Sequence, residues 1–288
     1  MAVITPSELD QLAPVFKGRA GRLFGRWALR FTGVQKVNNA HQYVEDEGIA
    51  YGPDAAKGIM DYCGIDYLVG NPERLENLPE GAFITISNHH YGHIDGVMLV
   101  DLIGHKRPGM KVMVNKILMW IHCLKPNFIS VQPTGAERTS ATADSINGVK
   151  QALLTLRSGE PLSLFPAGAV ADLKPKEKWT ISDREWQDAA IKLIMKAKVP
   201  IVPIRFFDRN SNFYFFLGLI DWKVRLLRLC HEMFNKKKKP VRLGIGETIS
   251  LEEQAKYKDP EEFKRFIRSK VYDMPLPEHF TPRSGLSL

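Results

Sequence analysis

The chain has no apolar run approaching the ~18 residues that a membrane-spanning helix requires. The best candidates, 97–103 and 213–220, are far too short. Cysteine is scarce, at three residues in 288. Cys63, Cys123 and Cys230 are scattered and odd in number, which argues for reduced core thiols over a disulfide framework or a zinc site. The opening residues Met1-Ala2-Val3-Ile4-Thr5-Pro6-Ser7 lack the basic-then-apolar pattern of a secretory signal, so the expected location is cytoplasmic. There is no internal repeat, and no low-complexity tract beyond the four lysines 236–239. What remains is ordinary globular composition, 44% apolar and 25% charged, in a chain long enough to bury a sizeable core.

Acidic charge is in deficit. The formal charge is +8, and it is clustered. One cluster is Lys17, Arg19, Arg22, Arg26 and Arg30; the other is Arg225, Arg228 and the lysines 236–239. Such an excess informs on partners and not on fold. An anionic membrane surface and nucleic acid both satisfy it, but no nucleic-acid-binding module is present. The first cluster is interleaved with Phe16, Leu23, Phe24, Trp27, Leu29 and Phe31, a mixture suited to a helix at a lipid interface. An amphipathic helix packed on its own domain gives the same pattern. For 236–239, a solvated basic loop is expected.

Three segments are expected. Residues 1–65 read as helical, with breaks near Gly33 and 48–53. From 66 to 250 strands alternate with helices. The strands are expected at 83–86, 111–114, 128–131, 161–165, 201–204 and 241–245. The helices are expected at 95–103, 140–158, 186–198 and 222–235. Alternation of this kind implies an α/β fold, a mostly parallel sheet flanked by helices. Residues 251–288 hold one helix, 260–272, and a Pro-rich end.

The chemistry concentrates after the first strand, in Ser87-Asn88-His89-His90-Tyr91-Gly92-His93-Ile94-Asp95-Gly96. Strand exits are where ligands collect in open α/β sheets. A His held by an Asp is the usual device for taking a proton from a hydroxyl. The remaining histidines, at 41, 105, 122, 231 and 279, are dispersed, so no metal site is expected. His89 and His90 both stand at plausible spacings from Asp95.

This block resembles the signature of the glycerolipid acyltransferases, the lysophosphatidic-acid acyltransferase-like family. Their usual form is Asn-His, four residues, Asp. A bacterial subgroup, haemolysin-like or acting on ornithine- and glycine-type aminolipids, has five intervening residues and glycines at positions matching Gly92 and Gly96. The longer form makes His89 the base; the usual spacing makes it His90. Phe165-Pro166-Ala167-Gly168 is similar to the family's Phe-Pro-Glu-Gly-Thr-Arg, with Ala167 for the Glu and Val170 or Ala171 where the Arg belongs. Val199-Pro200-Ile201-Val202-Pro203-Ile204 resembles a third block. The fourth, Gly-x-x-x-x-Arg, is poorly matched: Gln132 stands where an Arg is expected, with Arg138 nearby.

The resemblance spans roughly 65–250. It implies an acyltransferase-like fold and transfer of a fatty acyl group from a thioester to a lyso-lipid hydroxyl, at the inner face of the cytoplasmic membrane. His89 (or His90) would be the base and Asp95 its orienting acid. Asn88, Gly92, Gly96, Phe165, Pro166, Gly168 and Arg138 would meet substrate, with backbone N–H groups near Gly168 or Gly92 receiving the oxyanion. No bound cofactor is implied; acyl carrier protein or coenzyme A carries the acyl group. The missing cations favour an amino-acid-containing lyso-lipid over lysophosphatidic acid. The other alternative is a non-catalytic membrane-surface binding protein that keeps the fold.

Overall fold

A computed structural model of the protein describes residues 33–131, 143–220 and 222–288. The basic-aromatic stretch 16–31, Gln132 and Arg138 lie outside the described residues. Two helices come first, α1 (Val34–Asp46) and α2 (Pro53–Cys63). Pro53 opens α2, where its missing N–H costs nothing, and Gly64 closes it with φ 67°.

An eight-stranded sheet follows. Its strands are β1 (Leu68–Gly70), β2 (Ile84–Ser87), β3 (Lys111–Asn115), β4 (Phe128–Val131), β5 (Leu162–Leu164), β8 (Ile201–Phe206), β9 (Arg242–Ile245) and β10 (Phe280–Pro282). The spatial order is β10-β1-β9-β8-β2-β5-β3-β4. The run β8-β2-β5-β3-β4 is parallel, as is the pair β1-β9. The antiparallel pairings are β8-β9 and β1-β10. A separate hairpin pairs β6 (Asp172–Lys174) with β7 (Thr180–Ser182). The expected mostly parallel α/β sheet is thus present.

Helices cover both faces. One core gathers α1, α2 and α3 (His93–Lys106) against Val112, Val114, Val202, Ile204 and Phe206. The other gathers α4 (Ala143–Arg157), α5 (Asp188–Ala197) and α8 (Pro260–Tyr272) against Ile84, Ile86, Leu162, Leu164 and Ile201. Alternation along a strand assigns the faces: Ile84 and Ile86 point to the second core, and Thr85 between them donates to Ser163 Oγ across the β2–β5 pair at 2.7 Å. Residues 33–65 and those after residue 250 both feed these cores, and the tail is also tied in electrostatically. Buried Asp101 accepts from Arg283 through both oxygens at 2.7 Å and from Tyr67 Oη at 2.7 Å. Burial alone would raise the Asp101 pKa, but these bonds and His105 hold it below its usual value.

A third, smaller core stands apart from the sheet. Val170 and Ala171 pack there with Tyr214 and Phe215, joined by Leu173, Ile181 and Leu229. It is built by the β6–β7 hairpin and two further helices, α6 (Asn212–Ile220) and α7 (Trp222–Phe234).

Candidate active site

The exits of β8, β2 and β5 lie side by side, because Ser87 pairs with Ile204 and Ile86 with Leu164. The two motifs that follow β2 and β5 therefore meet in space. Asn88 continues the β2–β8 pairing with its side chain: Nδ2 donates to the Phe206 carbonyl and Oδ1 accepts the Phe206 N–H, both at 2.8 Å. Expected at the substrate, Asn88 is instead buried and closed on the backbone, and it fixes where the chain leaves the strand.

His89 follows. Its N–H donates to Asp183 Oδ1 at 3.0 Å, and its carbonyl accepts from Ala171 N at 2.8 Å. Its Nδ1 stands 2.9 Å from Asp95 Oδ2. The ring packs on Phe165 at 4.4 Å between centroids and is 17% exposed. Nε2 has no hydrogen-bond partner among the described residues.

Asp95 is placed by helix geometry. Gly92, at φ 85° and ψ −126°, turns the chain into α3. A Cβ at Gly92 would press on Leu229 and Val170, so this position requires glycine. Three residues on, Asp95 Oδ2 accepts the N–H groups of Tyr91 at 3.1 Å and Gly92 at 3.2 Å, satisfying donors that a helix start leaves open. The helix N-terminus also favours a negative charge there. A buried carboxylate facing Nδ1 selects the tautomer with its proton on Nδ1 and its lone pair on Nε2.

The neighbouring histidines are arranged differently. His90 turns to the Asp208 carbonyl, 3.2 Å from Nδ1, and does not meet Asp95. His93 Nε2 lies 3.3 Å from Met233 Sδ. Burial, with further contributions from His89 and Lys236, pushes the His93 pKa down to about 4.

The Phe165-Pro166-Ala167-Gly168 loop supplies the adjoining wall. Gly168 has φ 66°, and a Cβ there would collide with the Gln187 side-chain amide. Its N–H donates to the Phe165 carbonyl at 2.9 Å, and the Gly92 N–H is held by Asp95. The N–H groups of these two glycines are therefore already occupied, and what the glycines themselves supply is tight turns. The Pro166 carbonyl accepts from Gln187 N at 2.9 Å. Gly96 lies buried inside α3, where a Cβ would meet Val112 at an ordinary 3.8 Å. Val170 and Ala171, standing where the family's Arg is expected, are buried in the third core.

Several residues at this site carry no local sequence signal. Asp183 holds the His89 backbone from 94 positions away. Arg225, read as part of a surface charge cluster, is buried: Nη1 donates to the Ala171 carbonyl at 3.1 Å and to Asp172 Oδ1 at 2.6 Å. Lys236, expected in a solvated loop, is buried with its ammonium 4.8 Å from the Tyr91 ring centroid and 3.8 Å from Glu232. Burial lowers its pKa, against the pull of Glu232, Asp95 and Asp208.

A model of the acyltransferase family matches residues 53–276. The chain belongs to that family. This acyltransferase is 27% identical over 279 residues to a lyso-glycine lipid O-acyltransferase of Phocaeicola vulgatus, covering 92% of this chain and 95% of the relative. It is 29% identical over 231 residues to a lyso-glycine lipid O-acyltransferase of Bacteroides thetaiotaomicron, covering 74% of this chain and 81% of the relative. Among solved structures, it resembles the 1-acyl-sn-glycerophosphate (LPA) acyltransferase PlsC of Thermotoga maritima over 87% of each chain, at 14% identity and a TM-score of 0.45.

Proposed function

We propose that this acyltransferase moves a fatty acyl group from a thioester, acyl-ACP or acyl-CoA, to the hydroxyl of an amino-acid-containing lyso-lipid at the inner face of the cytoplasmic membrane. The observation that carries the chemistry is the His89–Asp95 pair at 2.9 Å, with no partner on Nε2 among the described residues. His89 Nε2 takes the proton as the acceptor oxygen attacks the thioester carbonyl. Asp95 stabilises the imidazolium that results. The tetrahedral intermediate collapses with loss of the C–S bond, and the thiolate leaves with the proton from His89. The turn to Asp208 makes His90 a poor rival for this role. Direct attack is favoured because no Ser or Cys nucleophile signature accompanies the pair.

The acceptor class is supported by the curated relatives, which are named for a lyso-glycine lipid. It is also supported by the missing cations: Gln132 stands where the resemblance expects the Arg that meets phosphate, and apolar Val170 or Ala171 stands where the Phe-Pro block carries an Arg. The test is turnover by purified protein of acyl-ACP and acyl-CoA against two acceptors, followed by mass spectrometry. A higher kcat/KM for lyso-glycine lipid than for lysophosphatidic acid is expected. A preference for lysophosphatidic acid overturns the acceptor assignment, and no product with any donor overturns the activity.

A further inference from the structure

The segment 213–220 is the most apolar helix of the described residues and leaves half of itself uncovered. At ~3.6 residues per turn, positions 214, 215 and 218 of α6 fall on one side, and 213, 216, 219 and 220 on the other. Tyr214 and Phe215 are fully buried, and Gly218 lies beneath Arg225. On the opposite side Phe213 is 54% exposed, Phe216 52% and Ile220 66%, with Leu219 also exposed. A contiguous stripe of large apolar side chains is not the usual surface of a soluble domain.

The helix is held firmly in this attitude. Ser211 Oγ accepts Tyr214 N at 3.2 Å at its start. Buried Glu232 of α7 accepts from both Ser211 N and Ser211 Oγ at 2.9 Å. The adjoining β6–β7 hairpin packs Leu173 and Ile181 into the same small core and carries Trp179, 63% exposed, at its turn beside exposed Lys176 and Lys178.

Charge decides the occupant. Residues 209–239 carry eight Lys and Arg against two acids; Arg225 and Lys236 are buried against Asp172 and Glu232, and the segment remains basic without them. Arg228 lies over the Phe213 ring at 5.3 Å, at the edge of the apolar stripe. Aromatic and aliphatic side chains with Arg228 at their edge, in a basic segment, match an anionic lipid surface. Position agrees. The buried side of α6 packs on Val170 and Ala171, and Ala171 N donates to the His89 carbonyl at 2.8 Å, so the stripe is one layer from the candidate base.

We propose that the outer face of α6, with Trp179, is the surface by which the protein sits on an anionic bilayer and meets its lipid acceptor. The face is apolar enough to insert and too short to span. This rests on the lyso-lipid reading of the site, and the two fail separately.

Co-sedimentation of the full chain with phosphatidylglycerol-containing vesicles, in the absence of substrate, tests the surface. Phe216→Asp with Ile220→Asp, and Trp179→Asp separately, should each lower the partition coefficient on the order of tenfold or more. The melting temperature should stay within a few degrees, and binding of the wild type should weaken with added salt. Turnover of a short-chain, monomeric acceptor should be unchanged in these variants, while turnover of vesicle-borne acceptor falls. Vesicle binding unaltered by these substitutions overturns the proposal and leaves anchoring to another segment, including 1–32. A wild-type dimer that Phe216→Asp dissociates overturns it in favour of a second copy on this face. Vesicle binding through α6 without any acyl transfer leaves the surface standing and removes the lyso-lipid reading.

Discussion

The sheet and the small unit beside it are built on opposite terms. The sheet is held by parallel ladders between two continuous apolar cores. The β6–β7 and α6–α7 unit has a core of a few side chains and is secured by buried charge: Arg225 on Asp172, and Glu232 on Ser211 and Arg228. Yet both touch His89. The sheet sets its position through Asn88, and the small unit closes on its carbonyl through Ala171. The difference separates two tasks. Ladders fix the direction of a side chain to a fraction of an ångström, whereas a lightly cored unit presents surface.

The largest expected effect belongs to the sheet side. Asp95→Asn keeps the shape but holds His89 in the wrong tautomer, and should reduce the initial rate of acyl transfer by ~10²–10⁴-fold with circular dichroism unchanged. A rate within threefold of wild type would separate the chemistry from the dyad.

Acid stability comes next. His93 has a folded pKa of about 4 against an ordinary 6.5, lowered first by burial. Its neutral form is the one that the fold accepts. Its contribution is therefore complete above pH 6.5 and is lost as pH falls toward 4, a change of about 3 kcal/mol at most. His41 and His231, also lowered chiefly by burial, act in the same direction. Urea melts from pH 7 to pH 4 should show this fall, and His93→Gln should flatten it.

Arg225→Met sharpens the contrast between the two regions. It removes the buried cation from Asp172 and from the Ala171 carbonyl, at a cost of about 1–3 kcal/mol. Hydrogen exchange should quicken in 170–182 while protection in β2 and β8 holds. Equal loosening of the sheet would show that the small unit is not separable. The smallest effect is expected of Gly168→Ala, about 1 kcal/mol for a left-handed backbone, together with displacement of Gln187. A modest fall in kcat is the readout.

The same contrast explains what the sequence disclosed. The buried strands are short apolar-rich runs bounded by Gly and Pro, so β2, β3, β4, β5, β8 and β9 were legible within about two residues. β1 and β10 were not, being three residues each and carrying little signal. The helix α6 was missed for a different reason. Apolar on nearly every side, it has no 3.6-residue alternation to read. In the site, the resemblance named His89 or His90, Asp95, Phe165 and Gly168, and the structure brings His89, Asp95 and Phe165 together. Asp183 and Arg225 reach the site through tertiary contacts alone, which no local pattern encodes.

The most direct measurement compares His89→Ala with His90→Ala in one assay, following acylated lyso-glycine lipid by mass spectrometry at saturating acyl donor. His89→Ala should fall by at least ~100-fold, and His90→Ala, whose ring is hydrogen-bonded to the Asp208 carbonyl, should stay within about tenfold of wild type. Loss of turnover in His90→Ala with activity preserved in His89→Ala would contradict the assignment of His89 as the base.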